Sequence, residues 1–430
     1  MGRPLRVCVS LLFVCALGVW APAIGVASIH IAPKPAQFSL QTLHRHQKIQ
    51  HIVVLVQENR TIDNLFNGFC VAQFVCADTV SVDPYRGVPL QPQSLAGPVE
   101  PVHNHKSFVR EYDGGTMTGF AKDYYAFVPA TENAAYRALV TLDGVLGDEV
   151  FQPNMGASFP AHQYEIAGQS GGYDPEHEAI VGNPKKHNGS TCIARPNSRV
   201  QTIDMTSKYP GHFSSDYPCE NYQTIFDLLA NRGISWRYYT RSEQGIWVPT
   251  QTIRHLYGSP NHITPETRFF KDLARGDLAS VTYITPDARN SDHAGFVKDP
   301  LAGPRWVSRV ANAIGTSPFW TSTALIVVWD DWGGWYDHVR PPVLPFQGQW
   351  PKWVGVPNPD EYGFRTPLLM IAPYARLNTI DHTPRSQAAI LRFIETTFSL
   401  PSLHTLDELE ADDLTTMLDL TRSPSPYFPV

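Results

Sequence analysis

The chain has 430 residues, with 34 basic against 40 acidic side chains and a net charge of −6. An acidic surface excludes nucleic acid and an anionic membrane as standing partners, so an anionic substrate must be drawn in by local positive charge. Beyond the N-terminus no stretch is apolar and long enough to span a bilayer, which excludes a stable membrane anchor later in the chain.

Residues 1–27 combine Arg3 and Arg6, an apolar core from Val7 to Trp20, and small residues up to Ala23 and Ala27. That pattern predicts a secretory signal peptide cut after one of those two alanines. Its removal leaves 32 basic residues against 40 acidic ones, a net charge of −8. The product is expected to be secreted or periplasmic. Four cysteines remain: Cys70, Cys76, Cys192 and Cys219. Pairing 70–76 and 192–219 is the economical arrangement among the three possible. Neither pair has Cys-x-x-Cys spacing, so disulfides are favoured over zinc.

Residues 28–49 read as an extended, His-rich lead-in. The apolar run His51–Val56 predicts a strand, ended by Gln57, Glu58 and Asn59. Arg60–Phe66 reads as a short helix start and residues 70–102 as loop. His103–Phe120 has helical spacing with a Gly-Gly stop, while Ala134–Val150 fits a helix or a strand. Gly156–Gly168 places Ser158 on a small-residue turn before a helix. Residues 169–220 form a Gly-, Pro- and Asn-rich excursion, read as an insertion stapled by cysteines. Helix then alternates with strand: Thr224–Arg232 (Gly233 just past its end) with Ile234–Tyr239, Arg268–Ala274 with Ala279–Thr285, and Val307–Ile314 with Ala324–Trp329. A last strand, Thr366–Ala372, precedes a helix over Arg385–Ser399, and residues 401–430 read as a polar, Pro-rich tail. This alternation predicts an α/β domain over residues 50–400, with a mostly parallel central sheet and helices on both faces.

Two strand ends carry the chemistry. Ala324–Trp329 is apolar throughout, as in a strand buried on both faces, and it runs into Asp330 and Asp331. In open α/β sheets, sites form beyond the carboxyl ends of strands. If the two strands are neighbours, Glu58, Asn59, Asp330 and Asp331 converge. Adjacent buried carboxylates repel unless a cation lies between them. Oxygen ligands suit Mg²⁺, Ca²⁺ or Mn²⁺, and the plentiful histidines leave Zn²⁺ open. One such cation beside the Ser158 hydroxyl is an arrangement for cleaving phosphoesters. Histidines would then hold phosphoryl oxygens and protonate the leaving group. Among His103, His105, His162, His262, His293 and His338, His293 stands out because it follows a buried strand with Asp292 beside it.

Gln57–Phe66 (QENRTIDNLF), Gly114–Phe120 (GGTMTGF), Ser291–His293 (SDH) and Trp329–Val339 (WDDWGGWYDHV) together resemble the bacterial phosphoesterase family of phospholipases C and acid phosphatases. The resemblance runs in order over residues 50–400 and implies an alkaline-phosphatase-like α/β core. It implies metal ligands at Glu58, Asn59, Asp330 and Asp331, with Ser158 as a nucleophile that becomes phosphorylated. Gly156–Gln163 is similar to the nucleophile motif of the acid-phosphatase branch, with Ala157 in place of one glycine; the Pro-Thr-Asn-Pro-Asn-Arg type motif of the phospholipase branch is missing. The family's upstream histidine falls on His103, with His105 the near alternative. Its Asp-His motif falls on His293, and a further histidine on His262. The implied substrate is a small phosphate ester or a phospholipid headgroup. The extra C-terminal domains of lipid-cleaving members are not matched, which leans against membrane lipid as the main substrate. A sulfatase would need a Cys/Ser-x-Pro-x-Arg signature, which is absent. A competing reading is a silenced, secreted carbohydrate- or surface-binding protein using an aromatic rim of Trp329, Trp332, Trp335 and Tyr336.

Overall fold

In the computed structural model the described residues are, apart from Gly2, 48–171, 178–185, 189–204, 213–342, 362–410 and 412–430. The leader and nearly all of the lead-in lie outside them. Eight strands build the main sheet: β1 His51–Gln57, β2 Gly144–Gly147, β3 Trp236–Tyr239, β4 His262–Ile263, β5 Val281–Ile284, β6 Thr323–Trp329, β7 Leu368–Ile371 and β8 Ile380–Asp381. Their order across the sheet is β4-β3-β5-β1-β6-β7-β2-β8.

The two ligand-bearing strands, 270-odd residues apart in the chain, are parallel neighbours at the centre. Their register runs from His51 opposite Thr323 to Gln57 opposite Trp329. They therefore end level, and Glu58 and Asp330 leave the sheet side by side. All seven residues of β6 are buried, as its apolar run predicts. Along β1, Ile52, Val54 and Val56 point into one core layer and Val53 and Leu55 into the other. The first layer includes side chains of α4 (Ile225–Asn231) and α6 (Ala389–Phe398). The second includes those of α2 (Ala134–Asp143) and α5 (Ala302–Gly315). Burying each such aliphatic side chain contributes roughly 1.5–3 kcal/mol, so the sheet centre is the rigid part on which a site can be built.

Three sequence expectations change. The ambiguous stretch over 134–150 is both elements in turn: helix α2, then strand β2. The strand predicted over 366–372 forms as β7, but antiparallel to both β6 and β2. An apolar run buried on both faces specifies burial and carries no direction. The C-terminal segment is no loose tail: Leu403, Leu406, Leu414, Met417 and Leu418 are buried, and Trp320 Nε1 donates to Ser425 O at 2.8 Å. The excursion over 169–220 carries its own antiparallel sheet of Glu178–Ile180, Val200–Asp204 and Phe213–Asp216. Disulfides join Cys70 to Cys76 and Cys192 to Cys219. Among the described residues, no helix is long and apolar enough to cross a membrane.

Candidate active site

The ends of β1 and β6 deliver Glu58, Asn59, Asp330 and Asp331 into a space from which water is excluded; none is more than 1% exposed. The turn after Asp331 requires glycine. Gly333 has φ +63°, and a Cβ there would lie 2.4 Å from Asn59 O, so any larger residue would push the two strand ends apart. Asn59 is itself left-handed at φ +65°, which asparagine tolerates better than most residues. Its backbone N–H donates to Asp330 Oδ1 at 3.0 Å and its side-chain amide to Asp331 Oδ1 at 2.7 Å. Gly333 N–H also donates to Asp331 Oδ1, at 2.7 Å.

Helix α3, Ser158–Ala167, brings the hydroxyl. Ser158 is its first residue and completely buried, and its Oγ donates to Asp331 Oδ2 at 3.1 Å. Four residues on, the same helix face presents His162. His162 Nε2 is 2.8 Å from Glu58 Oε1 and 3.8 Å from Asp330 Oδ2, while its Nδ1 faces Glu165 Oε2 at 3.3 Å. Sequence reasoning met His162 among several histidines and inside the Gly156–Gln163 motif, but gave it no role. The signal that singles it out is its i, i+4 spacing from Ser158.

Electrostatically the cluster is unfinished. Burial, then the charge of Asp330, pushes the Glu58 carboxyl well above its ordinary range. Burial, then Asp331, pushes Asp330 up to about 6. Burial raises Asp331 to about 7 against the hydrogen bonds from Gly333, Ser158 and Asn59. Burial also opposes a charge on His162, yet Glu165 and Glu58 on either side hold it well above the usual histidine value. Glu58 Oε2, Asn59 Oδ1 and Asp330 Oδ2 are buried without a hydrogen-bond partner. Among the described residues no lysine or arginine pairs with Glu58, Asp330 or Asp331. Unpartnered buried oxygens carrying negative charge fit a hard divalent cation. One ligand atom each from Glu58, His162 and Asp330 already lie within 4.8 Å of one another.

His103 and His293 meet at the edge of this cluster, their ring centroids 5.6 Å apart. Each turns Nδ1 to a backbone carbonyl, His103 to Pro101 O at 2.9 Å and His293 to Ala294 O at 2.6 Å, leaving Nε2 for other partners. Burial lowers both, His293 to about 3 with a further push from His103. Both line a cleft of about 600 Å³ whose other walls include Trp247, Phe296, Arg241 and Lys185.

The remaining candidates stand apart. His105 is buried in α1 (His105–Tyr112) with Nδ1 against Met155 O, which leaves the cleft to His103. His262 has both ring nitrogens engaged, by Thr250 Oγ1 at 2.7 Å and Thr240 Oγ1 at 3.0 Å, and does not join the cluster. Trp329, Trp332, Trp335 and Tyr336 are at most 1% exposed. The aromatic rim postulated for sugar binding is thus interior packing: Trp332 and Tyr336 join Phe108, Phe120, Tyr125 and Phe364 in one cluster.

The Phosphoesterase family profile matches residues 49–401. The chain belongs to the phosphoesterase family. It is 26% identical over 371 residues to non-specific phospholipase C6 of Arabidopsis thaliana, covering 79% of this chain and 65% of that protein. To phospholipase C B of Mycobacterium tuberculosis it is 24% identical over 447 residues, covering 89% and 80%. The chain thus spans about two-thirds to four-fifths of these relatives' own lengths. Among solved structures, a Vibrio parahaemolyticus protein in the alkaline phosphatase superfamily aligns over 86% of this chain and 71% of its own. It shares 12% identity, with a TM-score of 0.39. Membership places the chain among hydrolases of phosphoric ester bonds.

Proposed function

We propose that the chain is an exported phosphoesterase that requires one divalent cation and hydrolyses phosphate monoesters or diesters through a phosphoserine at Ser158. The observation that carries this reading is a serine hydroxyl hydrogen-bonded to a carboxylate beside buried acceptor oxygens of Glu58, Asn59 and Asp330 that have no partner. Glu58, Asn59, Asp330, Asp331 and Ser158 would hold the cation, with His162 Nε2 beside Glu58 and Asp330 in the same cluster. When bound, the cation would favour the serine alkoxide and offset charge on the phosphoryl oxygens.

The chain's own groups account for the proton movements. Ser158 Oγ attacks phosphorus as its proton passes towards Asp331, and the position of Ser158 at the N-terminus of α3 favours the anionic phosphoryl group. The bond from phosphorus to the ester oxygen breaks, and His293 gives that oxygen a proton from Nε2. With Nδ1 turned to Ala294 O, only the charged ring can donate there; the phosphoryl anion supplies its counter-charge. His103 holds a second phosphoryl oxygen. Water, losing its proton to the now neutral His293, then attacks phosphorus; the bond to Ser158 Oγ breaks, and Asp331 returns the proton that restores the hydroxyl. Two in-line displacements give retention at phosphorus.

The substrate is a small phosphate ester or a phospholipid headgroup, with no nucleic acid partner. The named relatives favour the phospholipid, and the motif around Ser158 favours the monoester. Export is supported by the leader pattern and by two disulfides, which persist in oxidising compartments. Turnover of p-nitrophenyl phosphate and p-nitrophenylphosphorylcholine, with and without chelator, tests the reading. Chelator-sensitive hydrolysis of one of them, abolished in Ser158→Ala, is expected. Undiminished turnover in that variant, or net inversion with a chiral phosphate ester, would overturn the covalent step.

A further inference from the structure

Behind His293 lies a buried device that the proton movements above do not use. Asp292 is fully buried and left-handed, with φ +70°. A non-glycine residue held there persists only where its surroundings over-determine it, and such residues gather at functional sites. Here the surroundings are specific. Asp292 Oδ2 accepts from Tyr136 OH at 2.6 Å and from Trp329 Nε1 at 3.1 Å. Its carbonyl accepts from Arg60 Nη2 at 2.6 Å and Nε at 3.2 Å. Gln57 Nε2 donates to the Tyr136 hydroxyl at 3.3 Å, and Glu58 N–H to Ser291 O at 2.7 Å. Gly303 makes the room, since a Cβ there would fall 1.9 Å from Asp292 Oδ1.

Three of the surrounding groups share one property. Gln57 precedes Glu58, Arg60 follows Asn59 and Trp329 precedes Asp330, so three of these groups sit one residue from a proposed cation ligand. Asp292 itself sits one residue from His293. We propose that Asp292 is a positioning residue that fixes the His293 imidazole relative to the cation ligands by locking both strand ends to one left-handed turn. The inference rests on the reading of His293 as proton donor.

Leaving-group dependence separates positioning from plain stability, because only a displaced acid spares substrates whose alcohol departs without a proton. The experiment measures kcat/KM for p-nitrophenyl, phenyl and alkyl phosphates in the cation-loaded enzyme. His293→Ala should lose about 100-fold or more on phenyl and alkyl phosphates and little on p-nitrophenyl phosphate. Asp292→Gly keeps the left-handed backbone and removes the anchor. It should repeat that pattern at about 10- to 100-fold, the usual cost of losing a group that orients a reacting one. Asp292→Asn, which keeps an acceptor and tolerates the turn, should recover most of the loss on poor leaving groups. Tyr136→Phe removes one donor and should show the same pattern more weakly, and it carries the test if Asp292→Gly does not fold. Equal losses on all three substrates, or none, in Asp292→Gly or in Tyr136→Phe would overturn the proposal. A flat loss in His293→Ala would instead overturn His293 as proton donor, and this inference with it.

Discussion

Two acidic clusters lie on the same two chain segments, a few residues apart, and they are resolved in opposite ways. In the first, Glu58, Asp330 and Asp331 crowd together, Glu58 Oε2 and Asp330 Oδ2 have no hydrogen-bond partner, and among the described residues only His162 is a neighbouring base. In the second, Asp63 and Asp337 flank a fully buried Arg365, whose guanidinium also reaches Glu149 at 2.9 Å and Asp78 at 3.4 Å. Asp63 further accepts from the His338 ring at 2.7 Å and from Val80 N–H at 2.8 Å. Both clusters hold the residue types of a metal site. The difference teaches that acidity alone marks nothing. The second cluster already contains its cation, covalently supplied by the chain, and the first is left with buried acceptor oxygens that lack a partner.

The sharpest break in this comparison is chemical. Ser158→Ala should lower kcat by about 1,000-fold or more, since the nucleophile is gone, while far-ultraviolet circular dichroism stays unchanged. Next, Arg365→Met should destabilise the protein by about 3–5 kcal/mol by stranding buried carboxylates, read as a large drop in denaturation midpoint. If Arg365→Met instead folded normally and gained cation affinity, the second cluster would be a latent metal site and the contrast would fail.

Cation titration probes the same contrast more gently. A divalent ion at 100 times its dissociation constant stabilises by about 2.7 kcal/mol. Calorimetric melts should show that gain in the wild type and in Asp337→Asn, and lose it in Asp330→Asn; a gain that survives in Asp330→Asn would place the ion elsewhere. The smallest effect concerns Glu111, which accepts from Trp332 Nε1 at 2.9 Å beside the first cluster. Burial raises its carboxyl to about 8. The neutral form is therefore favoured by folding, so its contribution is complete below about pH 4.5 and fades as pH rises through 8. Glu111→Gln should flatten that decline and raise the melting temperature near pH 9 by about 1–3 °C. An unchanged pH profile would show that Glu111 is ionised throughout.

Much of this was legible in the sequence, for identifiable reasons. Apolar–polar alternation is absent from β1 because both its faces are covered, yet the run from Ile52 to Val56 still announces a central strand, and the acids after β1 and β6 announce a site. Ser158 at a helix start was legible from the small residues before it. The role of His162 needed a helical register to be visible, and Arg365 carries no local signal at all, since its partners Asp63, Asp78, Glu149 and Asp337 come from four separate segments. The tryptophans of residues 329–335 misled because aromatic side chains near a site look alike whether they line it or support it. Only burial separates the two.

The reversed strand β7 has a consequence of its own. Because Leu368 pairs with Val328, the entry to β7, and not its exit, opens on the rim where the parallel strands end. Phe364, Arg365 and Thr366 lie on that side, and Thr366 Oγ1 accepts from Gln387 Nε2 at 2.7 Å, which also donates to the carbonyls of Trp329 and Asp330. Sequence drift just ahead of this strand should therefore disturb the support under the turn that carries Asp330, whereas drift just behind it should alter only the far margin of the fold.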